Sequence, residues 1–307
     1  MADTPETSKL SHAELRGVYQ ANQNVLRFCK EKLGNSATNE QAAIMHAYEL
    51  QTGSYIERMK VDADYRAKKE KFGQLVASIF APYKSASILE AGVGEATTLA
   101  AVINHLPADQ AQCVYAFDLS WSRVLVGSRY FAEQTAGRKC NFFAGELEHI
   151  ALADNSFDIV FTAHAVEPNQ GREKQILEEL YRVTAGQLIL VEPAYELADD
   201  AARKRMDFHG YCRGLKDIAE ANGWHVSRYE LFNVYENSEN PSMLLVIEKN
   251  AKTRNEPQYV SPVDGGILVE HAGNYYSAEE GLVYPVLGGI PYLTRSAAIL
   301  ATHYLEV

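Results

Sequence analysis

Two closely spaced glycines follow an apolar run, and an acidic residue stands at the end of the next apolar run. The first run ends at Leu89, the glycines are Gly92 and Gly94, and the acid is Asp118. Glycines let a backbone approach a ligand closely, and a helix N-terminus offers free N–H groups. A carboxylate roughly 20 residues downstream can bind both hydroxyls of a ribose. The spacing therefore predicts a site for a ligand that contains a nucleoside.

A further acidic residue, Glu90, lies just before this glycine pair. Its charge would repel a pyrophosphate, whereas it would attract a ligand that carries an ammonium and a sulfonium. Dinucleotide-binding proteins use nearly the same glycine pattern. Glu90 favours a cationic cofactor, and a nicotinamide-dependent oxidoreductase stays open as the alternative.

Polar residues that can act on a substrate follow the later apolar runs. His164 and Glu167 lie in one segment, Glu192 and Tyr195 in the next, and His209 interrupts a helical region further on. Histidine titrates near neutral pH and can remove a proton from a hydroxyl, whereas carboxylates and a phenol can orient an amine or a carboxylate. These five residues are the candidate catalytic set, although each also has a structural interpretation, such as Glu167 at the positive end of a helix.

A parallel sheet must position these residues, because short apolar runs alternate with helical patterns between Phe72 and Asn250. Strands are predicted at Ser87–Glu90, Cys113–Phe117, Asn141–Phe143, Phe157–Phe161 and Leu188–Val191, with helices beginning near Thr97, Trp121, Arg172 and Asp199. Two final runs, Trp224–Leu231 and Ser242–Glu248, lie too close together for a crossover helix. They should form an antiparallel hairpin that ends the sheet.

The sequence before and after this central region has a different pattern of predicted secondary structure. Residues 1–71 predict an N-terminal helical cap with a first helix from Ser11 to Gly34 and a second after Thr38. The second helix carries aromatic residues that either form a lid over the site or pack as core: His46, Tyr48 and Tyr55. Residues 251–307 predict a small β-rich appendage that packs on the main domain, because about 55 residues rarely fold alone. The predicted domains are thus 1–71, 72–250 and 251–307.

Four segments in order give the central region a family resemblance. Asp154-Asn155-Ser156-Phe157-Asp158 is the most specific, and it follows Ala144–Ile150, the glycine turn and Tyr115–Leu119. Together with the terminal hairpin, these segments resemble class I S-adenosylmethionine-dependent methyltransferases from Ser85 to Lys249. The resemblance implies an α/β, Rossmann-like methyltransferase sheet and an enzyme that uses S-adenosylmethionine and releases S-adenosylhomocysteine.

The resemblance also implies which residues contact the cofactor. The methionine end should meet Glu90, Gly92 and Gly94, the ribose and adenine should meet Asp118, Leu119, Glu146 and Leu147, and the sulfonium should face His164 and Ala165. Ala96 departs from the family by standing where a third glycine is common, and Glu146 stands where aspartate is commoner.

The C-terminal appendage has a resemblance of its own. Gly281–Pro291, within Tyr259 to Thr294, resembles the zinc-ribbon-like domain that activates some tRNA and protein methyltransferases. The positions of its zinc-binding cysteines are taken here by Ser261, Asp264, Ser277 and Glu280. Without thiolates we expect no structural zinc, and the four scattered cysteines of the chain form no paired spacing.

The net charge and the apolar runs of the chain limit the kinds of partner that we expect it to bind. A formal net charge of −11 argues against nucleic acid, which requires a basic surface. No run approaches the roughly 20 apolar residues that span a bilayer, and the polar first residues lack a signal-peptide core, so we expect a cytoplasmic protein without a membrane partner. The leading hypothesis is methyl transfer to a small-molecule hydroxyl, amine or carboxylate, in sugar or natural-product biosynthesis, by a monomer or homo-oligomer. A non-catalytic, cofactor-binding partner subunit is the third hypothesis.

Overall fold

The computed structural model of the chain describes residues 11–32, 41–80, 83, 86–107, 109–232, 234 and 239–306. The single first helix predicted from Ser11 to Gly34 is wrong, because one helix ends at Gln20 and the next begins at Val25. The helix that carries Tyr48 ends at Leu50, so Tyr55 lies on the following helix. The predicted end at Gly34 and the predicted start after Thr38 lie outside the described residues. The α-helices are α1 (His12–Gln20), α2 (Val25–Lys32), α3 (Gln41–Leu50), α4 (Ser54–Val61), α5 (Ala63–Phe80), α6 (Thr97–Asn104), α7 (Trp121–Gln134), α8 (Glu173–Val183), α9 (Asp200–His209) and α10 (Leu215–Ala221).

The strands form one large sheet and one small sheet. The central strands are β1 (Ala86–Ala91), β2 (Ala111–Asp118), β3 (Asn141–Gly145), β4 (Phe157–Ala163), β5 (Thr184–Pro193), β6 (His225–Phe232) and β7 (Ser242–Glu248). The C-terminal strands are β8 (Leu268–His271), β9 (Asn274–Ser277), β10 (Leu282–Tyr284), β11 (Val286–Leu287), β12 (Ile290–Leu293) and β13 (Ile299–Leu300). The order in the large sheet is β11-β12-β3-β2-β1-β4-β5-β7-β6, and β13-β10-β9-β8 form the small sheet.

The α/β class and the sheet predicted from the sequence are confirmed. Strands β1 to β5 run parallel, and β7 pairs antiparallel with both β5 and β6, as the short connection between the last two strands requires. The predicted helices begin within a residue of the expected positions, and the Asp199 carboxylate accepts the Ala202 N–H at the start of α9.

Both faces of the sheet are covered, which explains the nearly continuous apolar runs of its strands. One face packs against α5, α6 and α7 around Phe80, Leu99 and Val124. The other packs against α8 and α10 around Leu180 and Leu215. This double covering leaves the strand ends as the place where polar side chains can gather.

Helix α5 is part of the main core although it lies in the N-terminal region. A Cβ built on Gly73 would lie 2.6 Å from the Ala101 carbonyl carbon, so the backbones of α5 and α6 are in close contact. The proposed boundary between residues 71 and 72 therefore falls inside one continuous helix. Helices α1, α2 and α3 share a separate small core that contains Leu15, Cys29 and Ala47.

The C-terminal region adds strands to the central sheet. Strand β12 pairs in parallel with β3, with Tyr292 opposite Ala144 and Leu293 opposite Gly145. Tyr259 lies edge-on to Phe143, with ring centroids 5.3 Å apart. Only packing was expected of this region, because two-residue β11 and four-residue β12 carry too little pattern to predict a partner strand.

Hydrogen bonds connect three of the four positions that the sequence predicts to correspond to zinc cysteines. The Ser277 hydroxyl donates to Asp264 at 2.8 Å, and the Ser261 hydroxyl oxygen accepts the Asp264 N–H at 3.3 Å. Glu280 is exposed. Among the helices in the described ranges, none is both long enough and apolar enough to cross a membrane.

Candidate active site

A cavity of about 380 Å³ lies at the carboxyl ends of β1, β2 and β4, where open α/β sheets place their ligands. Its lining includes nine of the residues predicted from the sequence: Glu90, Gly92, Gly94, Asp118, Leu119, Leu147, His164, Ala165 and Glu167. Helices α3, α4 and α5 contribute further side chains, so the N-terminal region forms one wall of this cavity.

The glycine turn after β1 brings two loops into contact. Gly92 has a φ of +77°, and a Cβ built on it would lie 2.2 Å from the Ala165 Cβ in the loop after β4. Asp118 fixes the same turn, because its two carboxylate oxygens accept the Gly94 N–H and the Ser120 N–H, each at 2.9 Å. Ala96, which stands in place of a third glycine, has a φ of +56°.

Glu90 is a buried carboxylate with an unsatisfied oxygen. Its side chain is 1% exposed, and Oε2 has no hydrogen-bond partner. Burial raises the pKa of Glu90 well above its usual range, and the charge of Asp118 raises it further, while Lys69 opposes the shift. A buried carboxylate in this state gains most from a cationic ligand group, so this residue fits the ammonium of S-adenosylmethionine.

A second polar cluster lies on the loop after β4. His164 Nδ1 lies 2.5 Å from Glu167 Oε2, and His164 Nε2 lies 2.8 Å from the Ser242 hydroxyl. Burial opposes the charged imidazole, but the hydrogen bond and charge of Glu167 outweigh it, so the pKa of His164 is raised. His164 has a φ of +57°, a conformation that is rare for a residue with a side chain. The loop thus holds a histidine whose basicity is increased by a carboxylate.

Glu192 forms hydrogen bonds to the backbone of the loop after β4. It is fully buried, and its carboxylate accepts the N–H groups of Ala165, Val166 and Glu167 at 3.0 to 3.2 Å. Burial raises its pKa to about 7. These contacts make Glu192 a positioning residue rather than part of the cavity lining.

The N-terminal helices that line the cavity are hydrogen-bonded to Glu95, a carboxylate next to the glycine turn. Glu95 accepts the Gly53 N–H at 3.0 Å and the Ile56 N–H at 2.8 Å, at the start of α4. The buried Arg123 guanidinium lies 5.0 Å from the ring centroid of Tyr48 and 4.8 Å from that of Tyr55. Both tyrosines line the cavity, as the lid hypothesis requires, whereas His46 packs against His12.

The central region of the chain is similar to a known protein family. Residues 88–187 match the profile of a family described as a methyltransferase domain. The chain therefore contains a methyltransferase domain over these residues, and it is an enzyme that uses S-adenosylmethionine.

Solved structures share the fold at low sequence identity. Magnesium protoporphyrin IX methyltransferase from Synechocystis PCC 6803, with bound S-adenosylhomocysteine, aligns with a TM-score of 0.52 at 14% identity, over 68% of this chain and 100% of that chain. A chain from a complex between the Haloferax volcanii Trm112 methyltransferase activator and a methyltransferase aligns with a TM-score of 0.50 at 15% identity, over 66% and 97%. No curated protein sequence matches the chain.

Several predicted residues of the methyltransferase lie outside the cavity lining. Glu146 is not among the lining residues of the cavity, and its carboxylate bonds to the backbone N–H of Arg295 in the C-terminal region. The Tyr195 hydroxyl donates to Asp207 at 3.2 Å, and the His209 ring stacks on Tyr211 at 5.3 Å between centroids. The cavity lining that contains the glycine turn therefore does not include Tyr195, His209, Glu146 or Glu192.

Other cavity residues of the methyltransferase were missed because they come from distant parts of the sequence: Lys69, Arg123, Arg205, Asn240 and Ser242. The Lys69 ammonium donates to the Thr98 hydroxyl at 3.2 Å. Lysines and arginines are common on helix surfaces, so their types alone give no sign that they face a cavity.

Proposed function

We propose that this methyltransferase transfers a methyl group to a small-molecule acceptor, with the cofactor held between Glu90 and Asp118. The observation that carries the proposal is the buried, unpartnered Glu90 oxygen beside a glycine turn. Glu90 would bind the cofactor's ammonium, and Asp118 and Leu119 would bind its ribose and adenine. When bound, the cofactor supplies an electrophilic methyl on a sulfonium.

The residues of the loop after β4 would serve the acceptor. Methyl transfer is an in-line displacement, so orientation supplies much of the rate. His164 would accept the proton of an acceptor hydroxyl, because Glu167 increases its basicity and both residues line the cavity. This supports a hydroxyl over an amine or a carboxylate as the accepting group. Glu192 would keep the backbone of this loop in place.

Cavity size and charge support a small acceptor. Small-molecule sites span roughly 300–1,000 Å³, and this cavity falls within that range. The acidic chain carries a net charge of −11, which is unfavourable for a nucleic-acid acceptor. The neighbouring porphyrin methyltransferase supports a small-molecule acceptor by analogy of fold. A role in sugar or natural-product biosynthesis is part of the proposal and rests on sequence resemblance alone.

Calorimetric titration tests the cofactor site. We expect S-adenosylhomocysteine, which keeps the ammonium, to bind the wild-type protein, and NAD not to bind. Glu90→Gln should weaken S-adenosylhomocysteine roughly tenfold or more, because a charge-assisted hydrogen bond is lost. Glu270→Gln, an exposed position on β8, is the matched control and should bind like wild type. Binding of NAD alone, or equal affinities for the two variants, would contradict the assignment.

A further inference from the structure

An arginine in the cavity has a donor without an acceptor. Arg205, on α9, lines the cavity, and its Nη1 is buried with no hydrogen-bond partner. Among the described residues, two acids of α9 pair with other arginines, Asp200 with Arg203 and Asp207 with Arg213, while the Arg205 side chain bonds to Tyr211. A buried donor that lacks an acceptor is unfavourable and calls for a ligand or another partner.

The acids of the cavity are already engaged. Glu148 pairs with Arg172 at 3.1 Å, and Glu167 bonds to His164. Asp118 accepts two backbone N–H groups. Glu90 is the acid that the proposed function assigns to the cofactor ammonium. Within the part of the chain that the structure describes, the cavity therefore holds a guanidinium without an anionic partner.

An unpartnered acceptor lies near the same polar cluster. Asn240 Oδ1 is buried without a partner, while its Nδ2 donates to Glu167 Oε2 at 3.4 Å. The Arg205 guanidinium carbon lies 5.7 Å from the ring centroid of Tyr211, whose hydroxyl is bonded to Glu167. Asn240 is thus bonded directly to Glu167 of the His164–Glu167 pair. Arg205 is connected to the same pair through Tyr211.

We infer that the acceptor carries an anionic group, a carboxylate or a phosphate, that Arg205 binds beside the His164–Glu167 pair, while Asn240 accepts a hydrogen bond from a donor on the same molecule. The planar guanidinium matches the oxygen geometry of both anions. This inference rests on the proposed function, since it names the substrate class of the same site.

Calorimetry on protein saturated with S-adenosylhomocysteine tests the inference. The probes are benzoate and phenyl phosphate as anions and benzamide as the uncharged counterpart. We expect at least one anion to bind wild type roughly tenfold tighter than benzamide, and Arg205→Met to abolish this preference. Lys204→Met is the matched control, because it removes an exposed positive charge from the neighbouring position of α9. It should keep the preference, and all three proteins should bind S-adenosylhomocysteine alike.

Other results of these titrations would overturn the inference about Arg205 or contradict the proposed function. Anions that bind wild type no tighter than benzamide, or that bind Arg205→Met as well as Lys204→Met, would overturn the inference. A loss of S-adenosylhomocysteine affinity in Arg205→Met would overturn it too, because Arg205 would then serve the cofactor. Arg205→Lys keeps the positive charge but loses the planar guanidinium, so it should retain a reduced preference for the anions. This variant replaces Arg205→Met if the methionine variant does not fold. Failure of wild type to bind S-adenosylhomocysteine would contradict the proposed function, and the same anion titration without it would still test Arg205.

Discussion

Replacing Gly92 with alanine should disturb the contact between the glycine turn and the loop after β4. An added Cβ would lie 2.2 Å from the Ala165 Cβ, whereas carbon atoms pack at about 3.5–4.0 Å. Ala165 is one of the residues whose N–H groups are held by Glu192. The loop cannot move away without weakening these hydrogen bonds.

Gly137 provides a matched control for the backbone strain. It has the same φ of +77°, but a Cβ built there meets no heavy atom within 4 Å. Gly137→Ala should therefore cost only the left-handed conformation, about 1–2 kcal/mol. Gly92→Ala should cost this amount plus an overpacking penalty of about 1–3 kcal/mol. The difference between the two variants isolates the close approach of the loops.

Urea unfolding and calorimetric titration with S-adenosylhomocysteine measure the two consequences. We expect Gly92→Ala to be less stable than Gly137→Ala by about 1–3 kcal/mol and to bind the ligand more weakly, because the turn and the loop both line the cavity. Gly137→Ala should bind like wild type. Equal unfolding free energies, with unchanged affinity in both variants, would show that the close approach of Gly92 to Ala165 does not constrain the site.

Three further changes test other parts of the site. Asp118→Asn should weaken S-adenosylhomocysteine binding by about 1–3 kcal/mol in calorimetry, and unchanged affinity would reject the ribose assignment. Burial raises the pKa of Glu192 from its ordinary 4.5 to about 7, so the folded protein binds more protons than the unfolded one between these values. Wild-type stability should fall relative to Glu192→Gln by on the order of 3 kcal/mol as pH rises from 4.5 to 7 in urea titrations, and a pH-independent difference would contradict the shift. Glu95→Gln should speed hydrogen exchange at the amides of Gly53 and Ile56, which the carboxylate accepts, while protection as in wild type would show that Glu95 does not fasten α4.

The central sheet was predictable because its determinants are local. Apolar runs, their spacing and the short connection before β7 each act within a few residues, and they fix both strand positions and pairing direction. The glycine turn and Asp118 were found for the same reason, since a strand, a tight turn and a helix start leave a continuous pattern.

The acceptor side of the cavity depends on contacts between distant residues. Ser242 meets His164 across 78 positions, and no local pattern marks either residue as the other's partner. The family resemblance implied a cofactor contact for Glu146. The C-terminal region, which enters the sheet through β12, supplies the N–H that its carboxylate accepts instead. Glu192 stands at a strand end like the true lining residues, yet burial directs it into the loop backbone.

A crystal structure with S-adenosylhomocysteine would show whether the ligand binds at Glu90 and Asp118. We expect the ligand's amino group within hydrogen-bond distance of Glu90 Oε2 and its ribose hydroxyls on Asp118, with the sulfur facing His164 and Ala165. Ligand density elsewhere on the molecule, or a reversed ligand with its adenine at Glu90, would exclude this cofactor site.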